Sequence, residues 1–293
     1  MLLNRRISIL YFINQIKWQI LLVIGFALII GFTHLNPRFS HIKIPLSVLA
    51  LVGTIVSILL AFRTSQSYER WWEARIVWGA IVNDSRSFVR ETMQFLKDED
   101  DKELHSFAER QIVWVNALGE SLRKVPYSQK VASYIKKNQL DELNIPNAIL
   151  SEHSNDIKKL VQDGKISEFN QLQLNVTLSK LCDSMGKCER IKNTVFPRSY
   201  SVMLHTLIYI FTAILPFGLD HSQFVIEIIL SVLIPVMFIS IEKTAIIMQD
   251  PFENTPADTP MTSIAQTIEI NLRQMIGDKN IPVKPNPSSY YEM

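Results

Sequence analysis

The stretch PLSVLALVGTIVSILLAFRTSQSYERWWEARIVWGAIVNDSRSFVRE, residues 45–91, decides the fold of this 293-residue chain. Its first part, residues 46–62, carries no charged residue, whereas the part from Arg63 on is dense in Arg, Glu and Trp. Pro45 suits a first helical turn, because the N–H that it lacks would have no intrahelical partner there. No proline follows until Pro126. We therefore predict one long helix that begins in a membrane and leaves it near Arg63.

Two stripes run along the apolar part of this helix. The first consists of small residues, which let helices approach closely in a bilayer: Gly53, Ser57 and Ala61. The neighbouring stripe consists of Thr54, Ile58 and Phe62. A ring of identical helices packed through the small stripe would turn the second stripe towards a central axis, where apolar rings gate channels by dewetting. Spacing alone favours a simpler arrangement, a tight helix pair inside one subunit with Ile58 and Phe62 as ordinary core.

The composition excludes several classes of protein. With 47% hydrophobic and 20% charged residues, the chain is too charged to lie wholly in lipid and too apolar in blocks to be wholly soluble. The net charge of +2 is too close to neutral to indicate a nucleic-acid-binding protein. Cys182 and Cys188 lack the spacing of a metal or redox pair. The common catalytic motifs are absent and the six histidines are scattered, so we expect neither an enzyme nor a cofactor.

Acidic residues offer two weak candidates for cation binding. Glu69 and Glu73 stand one helical turn apart, but a salt-bridged helix face with Arg70 and Arg75 is the simpler explanation. Asp258, with the acidic residues just before it, could supply oxygen ligands to calcium. The spacing is not that of an EF-hand, so helix capping is the better default and Asp258 remains a weak metal candidate.

The rest of the chain divides at prolines and charge runs into further segments, all helical in period and without a strand pattern. The predicted order is an interfacial helix at 1–17, a first transmembrane hairpin at 18–62, a cytoplasmic helical domain at 63–196, a second hairpin at 197–242, and a cytoplasmic loop, helix and tail at 243–293. Lys and Arg flank the four membrane segments mostly on one side, which places both termini in the cytoplasm. His205 and Glu227 lie near the starts of the last two segments, where they can reach the interface, and are not interpreted as a proton relay.

Short motifs distributed along the chain resemble the signature of the bestrophin family. They are Phe62-Arg63, Tyr68, Arg70, Glu73-Ala74-Arg75, Trp78-Gly79, Cys188-Glu189-Arg190, Leu215-Pro216-Phe217, Asp250-Pro251-Phe252, Ile268-Glu269 and Asn271-Leu272. They stand in the family's order, and the chain is most similar to the short prokaryotic members. The resemblance implies an all-α membrane protein with four transmembrane helices per subunit and a cytoplasmic helical domain. It further implies a homopentamer around a central pore in the lipid of the cell membrane.

The resemblance also implies where the pore is narrow. Family members have a neck of three apolar positions on the second membrane helix, which fall here on Thr54, Ile58 and Phe62; this reverses the preference for a simple helix pair. Thr54 is smaller than the usual residue, so we expect a wider or wetter outer ring. A second constriction, at the cytosolic end, falls on Phe169 with Glu168 beside it.

The resemblance predicts passive conduction of small monovalent ions. Animal members pass chloride, and some bacterial members pass sodium. A ring of Glu168 would favour cations, whereas Arg63 below the neck would favour anions unless it is paired. We favour a cation channel, with an anion channel as the alternative and a non-conducting membrane scaffold as a second alternative. Animal members bind calcium through an acidic run after the Asp/Asn-Pro-Phe motif; here only Asp258 clearly keeps its acidic position, so we predict no calcium gating.

Overall fold

The computed structural model describes residues 9–34, 43–97, 101–194, 196–219 and 224–283. Within these ranges the regular elements are nine α-helices and one 3₁₀ turn, with no strand, which confirms the predicted all-α class. The helices are α1 (Ile9–His34), α2 (Leu46–Phe95), α3 (Asp101–Arg123), α4 (Gln129–Asn138), α5 (Ile145–Gln162), α6 (Glu168–Asn193), α7 (Arg198–Ile214), α8 (Phe224–Gln249) and α9 (Met261–Met275), with the 3₁₀ turn at Leu215–Gly218. Residues 220–223, which join the two helices of the predicted second hairpin, and the tail from residue 284 lie outside the described residues.

Four helices are long and apolar enough to cross a membrane, as the sequence predicted. They are α1, α2, α7 with the turn that follows it, and α8. The sequence placed a separate interfacial helix before Trp18, but α1 continues through Lys17 and Trp18 without a break. No proline or glycine stands at this point to interrupt the helix. The location of its first turns at a membrane interface stays a prediction.

The long helix predicted from Pro45 is α2, which has 50 residues and is therefore about 75 Å long. It begins directly after Pro45 and contains no proline. Hydroxyl groups in its apolar half bond to carbonyls one turn back, Thr54 Oγ1 to Ala50 O at 2.7 Å and Ser57 Oγ to Gly53 O at 2.8 Å. These bonds let polar side chains stay in an apolar helix without an unsatisfied hydroxyl.

The helices form two compact units. The first contains α1, α2 as far as Arg70, α7, the 3₁₀ turn and α8. Its core joins Val56 and Leu60 of α2 to Leu204 and Ile208 of α7, all at most 2% exposed. Gly53 takes part in this packing, since a methyl group on it would lie 3.2 Å from Cε2 of Phe211. α1 packs mainly on α8.

The second unit contains α2 from Trp71, helices α3 to α6, and α9. Its core is built around fully buried aromatic side chains, Trp78 and Phe88 from α2 and Phe107 and Trp114 from α3. Asn144 caps α5 by accepting a bond from Asn147 N at 3.1 Å, and Ser167 caps α6 by accepting one from Asn170 N at 3.2 Å.

One histidine of the second unit lies in an unusual place. His153 of α5 is fully buried between two phenylalanine rings, with ring centroids 4.8 Å from Phe88 and 5.6 Å from Phe107. Neither of its ring nitrogens has a hydrogen-bond partner in the part of the chain that the structure describes. Burial, together with the positive charge of Arg110, holds the pKa of His153 well below its ordinary value, so the imidazole is neutral.

Candidate functional site

The candidate neck residues share one exposed face of α2. Thr54 is exposed, Ile58 is 64% exposed and Phe62 is 55% exposed. Residues at this spacing lie one helical turn apart, so they form a single stripe along the helix. On the other side of the same helix Val56 and Leu60 are buried in the core. The described residues of the chain leave most of the stripe's surface uncovered, although the Phe62 ring lies 5.9 Å from the ring of Tyr200.

The three small residues of α2 lie in different environments. Gly53 packs against Phe211 of α7 within the same chain. Ser57 and Ala61 are exposed. The chain's own helix packing therefore uses Gly53, and the other two small residues leave a smooth surface next to the stripe of Thr54, Ile58 and Phe62.

Arg63 follows the stripe directly and turns away from it into the protein. Its side chain is 3% exposed, and Nη1 donates to Glu242 Oε1 of α8 at 3.3 Å. Nη2 donates to Gln249 Oε1 at 3.5 Å, and the guanidinium lies 5.3 Å from the centroid of the Phe196 ring. Arg63 is thus paired with an opposite charge that is itself only 5% exposed.

Glu242 joins a third helix to this pair. Its second oxygen, Oε2, lies 3.2 Å from Nδ1 of His205 on α7. The imidazole also makes an edge contact with the Tyr209 ring, at 4.6 Å between centroids. Glu242 is therefore bonded at both oxygens, and the cluster of Arg63, Glu242 and His205 ties α2, α7 and α8 together.

Arg70 binds the end of α8 in a similar manner. Its Nε donates to the carbonyl oxygen of Gln249 at 2.9 Å, and Nη2 lies 3.9 Å from Asp250 Oδ1. A cation at a helix C-terminus satisfies a carbonyl that has no partner within the helix and complements the helix dipole. Arg63 and Arg70, two turns apart on α2, both point to α8 and leave the exposed stripe without a positive charge.

The two glutamates of this region do not pair as the sequence suggested. Glu73 forms its ion pair with Arg190 of α6 at 2.5 Å, not with Arg70 or Arg75. Glu69 is exposed and, among the described residues, accepts bonds from neutral groups only, Ser65 Oγ at 3.5 Å and Gln66 Nε2 at 3.2 Å. The expected pairing with Arg70 and Arg75 is therefore wrong, although Glu73 does form an ion pair, because the end of α8 competes for Arg70.

The candidates for the second constriction belong to the other compact unit. Glu168 is the first residue of α6, and Phe169 follows it with 86% of its surface exposed. An acidic side chain in a first turn complements the positive end of the helix dipole, which explains why a carboxylate is tolerated there. The described residues of the chain thus leave most of the Phe169 ring uncovered.

Asp258 lies in the loop before α9 and is 1% exposed. Its Oδ2 accepts a bond from Thr255 N at 3.0 Å, and its Oδ1 accepts one from Thr255 Oγ1 at 2.5 Å. Burial raises the pKa of Asp258, while the hydrogen bonds from residues 253–255 oppose that rise.

Among the described residues no three His, Cys, Asp or Glu side chains come together as a metal site. The carboxylate closes a turn, so the predicted cap of α9 is absent, and that helix starts after Pro260 without a side-chain cap.

Glu242 and Gln249 were missed by the sequence reasoning. The sequence analysis ended the second hairpin at residue 242, which left Glu242 at its edge and Gln249 outside it, whereas α8 continues to Gln249. A signal was available, because an ionisable residue that follows a long apolar run directly marks a position that needs a partner.

Comparison with known proteins places the chain among relatives of similar length. Residues 4–274 match the family model described as bacterial/fungal bestrophin protein. The voltage-dependent anion channel-forming protein YneE of Escherichia coli K12 is 32% identical over 278 residues, which cover 93% of this chain and 91% of YneE. The voltage-dependent anion channel-forming protein RSc3414 of Ralstonia nicotianae is 27% identical over 290 residues, covering 96% and 92% of the two chains.

A solved structure shares the fold. The crystal structure of a bacterial bestrophin homologue from Klebsiella pneumoniae superposes with a TM-score of 0.83 at 28% sequence identity. The match covers 90% of this chain and 99% of the homologue.

Proposed function

The chain belongs to the bestrophin family, and from that membership we propose that it is an ion channel that conducts small monovalent ions passively. The proposed assembly is a homopentamer in the cell membrane, with both termini and the helical domain at 63–196 in the cytoplasm. Support comes from the four apolar helices and from relatives that are named as channel-forming proteins. No step of this function calls for a cofactor or an enzymatic reaction.

The proposed neck consists of Thr54, Ile58 and Phe62 from each subunit. Large apolar side chains that stay more than half exposed in one chain need cover from another molecule. Five copies around an axis would supply that cover and would line a narrow apolar passage. Such a passage opposes ions by excluding water, so small changes in its radius open and close it.

The smaller Thr54 gives the outer ring of this neck a polar hydroxyl. That hydroxyl bonds to Ala50 O within its own helix, which leaves an oxygen lone pair for water in the passage. We propose a wetter outer ring at Thr54 and a dry gate at Ile58 and Phe62. The second constriction is proposed at Phe169, with Glu168 beside it at the cytosolic exit.

Pairing of Arg63 is the single observation that favours cations over anions. An unpaired arginine directly after the neck would attract anions, but this guanidinium is bonded to Glu242 and nearly buried. The pair has no net charge, so it does not oppose the negative charge of a Glu168 ring. We therefore propose sodium and similar cations as the conducted ions.

An anion channel is the second candidate function. It is favoured by the names of YneE and RSc3414, which describe both relatives as anion channel-forming. In this case the cluster at Glu242 would have to release Arg63 towards the passage. The two candidates differ in the sign of a directly measurable potential.

The deciding experiment is the reversal potential of the purified oligomer in planar bilayers under a sodium chloride gradient. A value near the sodium equilibrium potential supports the cation channel, and one near the chloride equilibrium potential supports the anion channel. Glu168→Gln should move the potential towards chloride if the exit ring contributes to selectivity.

Silence of both the wild type and an Ile58→Ala, Phe62→Ala variant would favour a non-conducting scaffold. A monomer or dimer in light scattering would favour the scaffold as well.

A further inference from the structure

The exposed stripe of α2 continues beyond the neck to a carboxylate. Glu69 stands seven residues after Phe62, which is two helical turns on the same face. Between them Ser65 is also exposed. The stripe thus runs from Thr54 through Ile58, Phe62 and Ser65 to Glu69, and Glu69 is its one ionisable residue.

This carboxylate has no positive partner among the described residues. Its two hydrogen bonds come from the hydroxyl of Ser65 and the amide of Gln66, both on the same helix. Both donors are neutral, so the negative charge of Glu69 is retained. The hydrogen bonds hold the side chain along the helix surface, where its remaining lone pairs face solvent.

The arginines of this region are arranged in the opposite way. Arg63 bonds to Glu242 and Arg70 bonds to the end of α8, so both positive charges are satisfied inside the subunit. Over residues 63–70, α2 therefore separates its charges, with both arginines turned to α8 and a carboxylate left on the exposed stripe. An ordinary solvated helix face would carry acidic and basic side chains side by side, in positions where they can pair.

We propose that Glu69 binds permeating cations and determines the charge selectivity of the channel. This inference rests on the proposed pentamer with the stripe at its axis. Five Glu69 carboxylates then form a ring of negative charge at the cytoplasmic end of the neck. Their mutual repulsion is relieved when a monovalent cation, still partly hydrated, sits between them, and the Ser65 hydroxyls supply further oxygen contacts.

The spacing lets this ring act on ions in the neck. Seven residues of helix correspond to about 10 Å between Phe62 and Glu69. The Debye length is also about 10 Å at 0.1 M salt and falls to about 3 Å at 1 M. The ring therefore raises the local concentration of cations at the gate in dilute salt and loses this influence in concentrated salt.

The first test measures the sodium-to-chloride permeability ratio of Glu69→Gln in planar bilayers. Loss of the ring charge should lower the ratio roughly tenfold, the factor that corresponds to about 1.4 kcal/mol. Glu69→Asp should keep most of the selectivity, because it keeps the charge. Glu142→Gln is a matched control, since Glu142 is an exposed glutamate in the loop after α4. A conducting, cation-selective Glu69→Gln with an unchanged ratio would overturn the inference and leave the proposed channel standing.

A second measurement does not depend on conduction. Crystals of the oligomer soaked in caesium chloride should give an anomalous peak on the symmetry axis between the Glu69 carboxylates. The peak should be lost in Glu69→Gln and retained in Glu142→Gln. If the wild-type protein is electrically silent, the proposed channel fails, while the caesium peak still decides whether this ring binds cations. Absence of the caesium peak from crystals of the wild-type protein would refute the site.

Discussion

Arg63 and Glu242 form an ion pair between α2 and α8, at 3.3 Å between Nη1 and Oε1, with side chains only 3% and 5% exposed. The two residues are separated by 179 positions in the sequence. A buried pair of this kind is costly to break from one side, because the remaining charge has no solvent to stabilise it. It therefore locks two helices at the level where the proposed neck ends.

Breaking one side of this pair should destabilise the protein strongly. We expect Arg63→Met and Glu242→Leu each to cost about 3–5 kcal/mol of unfolding free energy. The double variant Arg63→Met, Glu242→Leu should recover much of the loss, since no buried charge remains. Denaturation of the detergent-solubilised protein measures all three variants in one double-mutant cycle, and purely additive losses would contradict the coupling.

Shortening the proposed neck side chains should increase conduction. Ile58→Ala and Phe62→Ala remove apolar volume from the passage, so water and ions enter it more readily. We expect the single-channel conductance to rise several-fold in each variant. Leu21→Ala on α1 is a suitable control, because Leu21 is also exposed and apolar, at 58%, but lies on another helix. An equal effect at Leu21 would point to general loosening of the fold.

Acidification should destabilise the protein through His153. Burial and the positive charge of Arg110 hold the pKa of His153 well below its ordinary value of about 6.5. The unfolded chain therefore binds a proton that the folded chain rejects, and stability falls as the pH drops below about 6.5. His153 alone can lower the unfolding free energy by at most about 1.4 kcal/mol for each pH unit of acidification. Thermal unfolding between pH 8 and pH 5 should show this loss in the wild type.

His153→Leu should remove that part of the pH dependence. His105→Gln is the matched control, because His105 on α3 is only partly buried and should leave the slope in place. A wild-type stability that is flat across this range would show that His153 is protonated in the fold or partnered there.

The two cysteines should differ sharply in reactivity. Cys182 is exposed, whereas Cys188 is buried and its pKa is raised to about 12 by that burial and by the nearby charges of Glu189 and Glu73. The thiolate is the reactive form, so Cys188 should resist alkylation at pH 8. Mass spectrometry after iodoacetamide treatment should find Cys182 modified in the native protein and both thiols modified in denaturant. Modification of native Cys188 would mean that α6 opens readily.

Calcium should leave this protein unaffected. Asp258 is only 1% exposed, and among the described residues no three His, Cys, Asp or Glu side chains form a group that could hold a metal ion. Millimolar calcium should therefore change neither the thermal midpoint nor the open probability in bilayers. A steep micromolar response would show that the loop takes another arrangement when calcium is bound.

The sequence was sufficient for features that depend on local chemistry. Pro45 and the proline-free run behind it predicted α2, and the apolar runs predicted four helices of membrane-crossing length. The spacing of Thr54, Ile58 and Phe62 predicted a common face, which the helix has. Whether this face lines a pore stays a prediction.

Partner choice could not be predicted in the same way. Arg63 bonds to a residue 179 positions away, and Arg70 to a carbonyl at the end of α8 rather than to a neighbour on its own helix. Both outcomes depend on how α8 packs on α2, which no local pattern encodes. That Glu69 has no positive partner among the described residues follows from the same packing, since its expected partner Arg70 is bound by the end of α8.

The Asp258 turn also bears on how calcium control could be introduced into this chain. Both carboxylate oxygens accept bonds from Thr255, and the residue is 1% exposed. Acidic residues added around the loop would raise its negative charge without giving calcium access to this carboxylate. An engineered calcium site would therefore need the loop to open, which would break the bonds that close the turn.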